Sequence, residues 1–136
     1  MKKIISVFLI VVFLCTLSAC SGGISGDEAK SFVNDFFNKI EAKDYEAAKE
    51  FLHPDRPADI ELFFEGIEED KNVDFSDIHI ERYTGIETSF YDSSVNGSTY
   101  TLEMDISLSG REAEVEIEIV KNDKGYGIYN FDIDID

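Results

Sequence analysis

The sequence predicts an α+β fold: three N-terminal helices packed on one face of a curved four-stranded antiparallel sheet. Apolar residues recur at helical spacing as far as residue 72 and alternate with polar ones after Val73. Turn signals at Asn96-Gly97, Ser109-Gly110 and Asn122-Asp123-Lys124-Gly125 then cut the alternating part into hairpins. Helices first and hairpins after put the helices on one face of an antiparallel sheet.

Before the first helix, Lys2 and Lys3 precede an unbroken apolar stretch from Ile4 to Leu14. That stretch is shorter than the roughly 20 residues that span a bilayer, and Ser18, Ser21, Gly22 and Gly23 follow it closely. A basic start, an apolar middle and small residues make an export signal. It closes on Leu17-Ser18-Ala19-Cys20, which resembles the lipobox of bacterial lipoproteins. The resemblance implies that the Cys20 thiol takes a diacylglyceryl group and that cleavage falls just before it. Residues 1–19 are then the lipoprotein signal peptide, and residues 20–26 are a lipidated Ser/Gly tether. An ordinary secretory signal would also explain the Lys pair, but it would not need the cysteine. Two acyl chains hold a protein on a membrane durably, so the expected location is the outer face of the cell membrane.

The domain proper is expected over residues 27–136. Ser25 and Glu28 have capping-box spacing, and Ala29, Phe32, Val33, Phe36, Phe37 and Ile40 then trace one helical face. Asp44 can cap a short second helix carrying Tyr45, Ala48, Phe51 and Leu52. His53-Pro54-Asp55-Arg56-Pro57 is a turn holding both prolines of the chain. Pro57 suits the first turn of a third helix with Ile60, Phe63, Phe64 and Ile67 on its buried stripe, ended by Gly66 and the polar stretch 68–72. In the first strand Ile78 and Ile80 share a parity, and a bulge at Gly85 would re-phase it to bring Phe90 inward. Tyr100, Leu102, Met104, Ile106 and Leu108 alternate cleanly, as do Ala113, Val115, Ile117 and Ile119, and Ile128 to Ile135 is the last strand. The expected inward set includes Phe32, Phe36, Leu102, Met104, Ile106, Val115, Ile117, Phe131 and Ile133.

Two passages carry a further resemblance. One is Ala29-Lys-Ser-Phe-Val-Asn-Asp-Phe-Phe followed by Asp44-Tyr-Glu-Ala-Ala-Lys-Glu-Phe-Leu and a Pro turn; the other is Val120-Lys-Asn-Asp-Lys-Gly-Tyr-Gly-Ile. Together they resemble the NTF2-like (cystatin-like) fold and, within it, the DUF4878 type of small lipoprotein domain. Tyr126-Gly-Ile stands where that family usually carries Trp-x-Ile. The resemblance implies a helix–sheet cavity, and the fold hosts isomerases and dehydratases that pair a carboxylate with Tyr or His there.

Charge narrows the functional classes. The chain has 12 basic and 29 acidic residues, a net charge of −17, and the leader takes two of the lysines with it. Nucleic acid is excluded as a partner, because phosphate binding rests on Lys and Arg. Cys15 falls in the leader and Cys20 is the lipid site, so the domain has no disulfide and must stand on its apolar core. No metal site and no cofactor are assigned.

The Ser109-Gly110 turn sets Leu108 opposite Arg111, and aligning apolar with apolar in the last hairpin sets Ile117 opposite Phe131. That register gathers Glu103, Asp105, Glu112, Glu114, Glu116, Asp132 and Asp134 on the other sheet face. Like charges directly opposite destabilise a sheet. Three readings compete: a screened, solvated surface; weak binding of divalent cations to carboxylate oxygen; and docking of a basic protein. The aromatic helix residues give core packing or an apolar cavity, for which Phe36, Phe64, Tyr100 and Met104 are the candidate lining. An enzyme is the alternative, with Tyr hydroxyls, a turn residue His53 and an outward His79, but no nucleophile motif accompanies them. A ligand-free spacer is the last reading. The favoured one is a membrane-anchored binding or interaction module.

Overall fold

The computed structural model describes residues 23–136, so the leader and Cys20 lie outside the described residues. Three helices, α1 (Gly26–Glu41), α2 (Tyr45–Lys49) and α3 (Ile60–Lys71), precede four strands. These are β1 (Ile78–Asp92), β2 (Gly97–Leu108), β3 (Arg111–Asn122) and β4 (Gly125–Ile135), paired antiparallel in sequence order into one curved sheet.

Each helix starts where a short polar side chain takes over an orphan amide. The Ser25 hydroxyl accepts from the Glu28 N–H at 3.2 Å, the Asp44 carboxylate from Ala47 at 3.2 Å, and the Asp59 carboxylate from Leu62 at 3.0 Å. Helix α1 buries Ala29, Val33, Phe36, Phe37 and Ile40. Its capping residue Ser25 already lies in the segment expected to be tether, and Ile24 packs on the core.

Helix α3 starts later than expected, and it ends within the expected polar stretch but not at Gly66. Pro57 lies outside it, because Asp59 supplies the cap two residues later. Gly66 does not stop it: a Cβ there would meet nothing within 4 Å, and the helix runs on to a left-handed Asn72. The extra turn is held by Glu68, whose carboxylate accepts from the Phe75 N–H at 2.8 Å and pairs with Lys43 at 3.0 Å. This ties down the link to β1, where Val73 and Phe75 are buried although no pattern singled them out.

The sheet register is the expected one. Leu108 faces Arg111, Met104 faces Val115, and Leu102 faces Ile117; in the last hairpin Val115 faces Ile133 and Ile117 faces Phe131. Strand β1 is broken by irregularities at 80/82, 83/85 and 89/92, the middle one being the bulge at Gly85. Phe90 does not turn inward: it is 78% exposed, because the third irregularity frees it beyond the start of α1, where its ring lies over Gly23.

Leu102, Met104, Ile106, Val115 and Ile117 are buried against the helices, and Phe36 sits among the rings of Phe37, Phe51, Phe64 and Phe131. Phe32, Phe131 and Ile133, expected inside, are only partly buried. For Phe131 and Ile133 the reason is position: β4 is an edge strand, with a neighbour on one side only. Phe32 lies over the start of the same strand, stacking on Phe51 and Tyr126 at centroid distances of 4.9 and 4.8 Å.

Among the described residues the helix layer joins the backbone of β4 at one parallel bridge. Leu52 makes a parallel bridge to Ile128: the Ile128 N–H donates to Phe51 O at 2.7 Å, and the His53 N–H donates to Ile128 O at 2.9 Å. Gly127 permits the approach, since a Cβ there would stand 2.5 Å from the His53 nitrogen. Three substitutions separate these contributions in urea unfolding. Ile117→Ala should cost about 2–5 kcal/mol. Gly127→Ala should also destabilise, by forcing residues 51–53 off β4. Gly66→Ala should stabilise by about 0.5–1 kcal/mol, because alanine is the better residue in an open helix interior.

Candidate binding surface

The outward face of the sheet is built from rows that run across the strands. Glu103 lies opposite Glu116, which lies opposite Asp132; Asp105 lies opposite Glu114, which lies opposite Asp134. Glu112 continues the pattern, its carbonyl accepting from the Asp136 N–H. All seven expected carboxylates therefore share one face, exposed or half-exposed, while the intervening residues on β2 and β3 fill the core. Among the described residues one ion pair reaches this group, Arg82 Nε to Asp105 Oδ2 at 2.6 Å. The curved outer face is concave where Glu103, Asp105, Glu114, Glu116, Asp132 and Asp134 line it beside Arg82. Among the described residues no three acids, histidines or cysteines converge where they could hold a metal ion.

A separate apolar cleft of about 280 Å³ opens at the sheet edge, between the 56–58 segment and α3 on one side and β4 on the other. Phe36 and Phe64 line it, as expected; Tyr100 and Met104 do not. Met104 is 1% exposed in the middle of the core, and the Tyr100 hydroxyl lies against Gly26 at the start of α1. The helices cover Leu102, Met104 and Ile106 of β2, and the cleft opens where the proline-containing turn crosses to α3. The cleft's other walls are Pro57, Ala58, Phe63 and Phe131, with the Arg56 guanidinium stacked over the Tyr129 ring 4.4 Å from its centroid. The sequence signal for this cleft was the pair of prolines: they mark a stretch that lies beside a strand edge and cannot pair with it.

His53 belongs to the turn, as expected, but it is fully buried. Its Nδ1 accepts from the Asp55 N–H at 3.1 Å, so Nε2 carries the proton and donates to Asn122 Oδ1 at 2.9 Å. The same Asn122 oxygen accepts from the Lys124 and Gly125 amides, so the ring pins the β3–β4 turn. His79 is exposed and lies 3.4 Å from Asp77. Apart from tyrosines, the buried polar side chains among the described residues are His53 and Ser98. Neither is a carboxylate, and each is held by structural hydrogen bonds.

Comparison of the chain with family models, curated proteins and solved structures found no match.

The hydroxyls of Tyr45 and Tyr126 are buried without a hydrogen-bond partner among the described residues. Burial pushes the Tyr126 phenol up to about 12. An unfolded tyrosine ionises near 10, so the stability tied to this phenol is whole below pH ~10 and is lost as the pH rises toward ~12. Tyr126→Phe should therefore be at least as stable as the parent at pH 7, since it removes an unsatisfied group. It should lose less stability than the parent between pH 10 and 12. Melting curves across that range check both statements.

Proposed function

We propose that this chain is an extracytoplasmic lipoprotein, tethered through Cys20 to the outer face of the cell membrane, whose NTF2-like (cystatin-like) domain is a binding module for a cationic protein. The observation that carries the binding role is the two rows of directly opposed carboxylates, Glu103–Glu116–Asp132 and Asp105–Glu114–Asp134. None of them packs into the core, which lies on the other face of these strands, and their mutual repulsion works against the sheet. A surface that costs stability and is not neutralised from within is suited to a partner that brings the opposite charge. Such a partner also gains in encounter rate and in discrimination against acidic competitors. An interior without a buried carboxylate among the described residues favours binding over acid–base catalysis. Among the described residues no three of the acids converge as metal ligands would, which favours a protein over a single metal ion.

Replacing Glu114 and Glu116 together by Gln separates these roles. At low ionic strength the double variant should melt above the parent, and the gap should close as salt is added. Binding of a lysine-rich probe peptide should weaken in the variant and fall with salt in the parent. A double variant that binds the peptide as the parent does would remove the acidic face from the site. Millimolar Ca²⁺ should act no differently from a monovalent salt of equal ionic strength; a higher melting temperature in Ca²⁺ would instead favour the divalent-cation reading.

The tether has its own test. Cys20→Ala should leave an unlipidated precursor in cells. Mass spectrometry of the parent should find the chain beginning at Cys20 with acyl groups attached; an unmodified N-terminus would refute the anchor.

A further inference from the structure

The outer side of β4 is an unfinished sheet edge. The Asp136 N–H turns toward β3, onto Glu112 O. Backbone groups alternate along a strand, so Asn130, Asp132 and Asp134 also turn theirs toward β3, while Phe131 and Ile133 turn theirs outward. Above the irregularity opposite Glu118 and Ile119, Ile128 faces outward too, and there the edge is occupied by Phe51 and His53. The chain's own pairing stops at once, because Pro54 and Pro57 carry it away to α3. Below, the Arg111 guanidinium holds the carbonyls of Asp136 and Lys71 and closes the strand's end. Between these two stops lie residues 130–134, about 17 Å of strand at about 3.4 Å per residue. Among the described residues nothing pairs with this stretch from outside.

Its two sides differ in chemistry. On the core side lie Phe131 and Ile133, both half-buried; Phe131 lines the cleft together with Pro57, Ala58 and Phe63, and Ile133 follows it along the strand. On the other side lie Asp132 and Asp134, each backed by a glutamate on β3. We infer that this edge takes an extended peptide segment of alternating apolar and basic residues, added as a fifth strand beside the four. Its backbone would pair with Phe131 and Ile133, its apolar side chains would enter the cleft, and its Lys or Arg side chains would reach the acidic rows. Such strand addition draws affinity from the main chain and selectivity from alternate side chains. A second copy of this chain does not meet the requirement, since its β4 would set Asp against Asp. The inference rests on the cationic-partner reading and specifies how that partner docks.

The test compares five short peptides on the chain from Ser21 onward: alternating Val and Lys, the same residues in block order, alternating Val and Ser, and two alternating Val/Lys peptides N-methylated at every second amide, one in each phase. The alternating Val/Lys peptide should bind more tightly than the block peptide and slow amide exchange at Phe131 and Ile133. N-methylation in one phase should abolish that binding, and N-methylation in the other should leave it nearly intact. Phe63→Asp, at a side chain already 43% exposed, should weaken binding without unfolding the domain. Equal binding of alternating and block peptides, with no protection at Phe131 or Ile133, overturns the edge site but leaves the cationic-partner reading standing. Val/Ser binding equal to Val/Lys, with the edge amides protected, supports strand addition and overturns the cationic reading instead. No binding by any peptide overturns the edge site.

Discussion

The short parallel bridge between Leu52 and Ile128 is the contact on which the arrangement of the two layers depends. Elsewhere helices and sheet meet through side chains, which can slide past one another at modest cost. At this bridge two backbone hydrogen bonds fix residues 51–53 to β4, and the fit needs Gly127 because no side chain can stand there. His53 extends the attachment by donating to Asn122, which organises the β3–β4 turn. The place where α3 begins, the depth of Phe64 in the core and the width of the cleft beside β4 all follow from where this turn is held.

The sheet is chemically two-sided, and each side sets a limit on the other. The inner face is aliphatic on β2 and β3 and meets a layer of phenylalanines, so the core needs no disulfide. The outer face places Glu and Asp opposite each other across three strands with little internal neutralisation. A one-residue slip of β3 would exchange the two faces and bury carboxylates. The acids therefore enforce the register, and this role is independent of any partner.

Much of this was legible in the sequence because period and turn chemistry agreed. The strict alternation of β2 and β3 around Ser109-Gly110 gave the register, and with it the acidic rows, residue by residue. Ser25, Asp44 and their spacing marked the first two helix starts. The errors lie where another feature overrode a local signal. Pro57, which suits a first helical turn, lies outside α3 because Asp59 caps the helix two residues later. Phe90 continues an alternation that the third irregularity of β1 cancels. The lining of the cavity was half wrong because sequence spacing shows which residues face inward but not where two layers part. Tyr100 and Met104 face inward as expected, under the helices and away from the opening. Cys20 lies outside the described residues, so the lipobox stands on the sequence alone.

The two edges of the sheet are protected against uncontrolled pairing in different ways. Strand β1 carries three irregularities, which bend it and interrupt any continuous run of free backbone groups. Strand β4 has one, and from Asn130 onward it is regular. A regular edge must be guarded by its side chains, and here the guard is the aspartates at 132 and 134. Charge discriminates where a bulge does not. It repels another copy of the same acidic chain, yet it attracts a strand of opposite charge. Strand β4 thus stays regular and paired on one side at the border of the apolar cleft and the acidic face, where free backbone groups, apolar side chains and carboxylates adjoin.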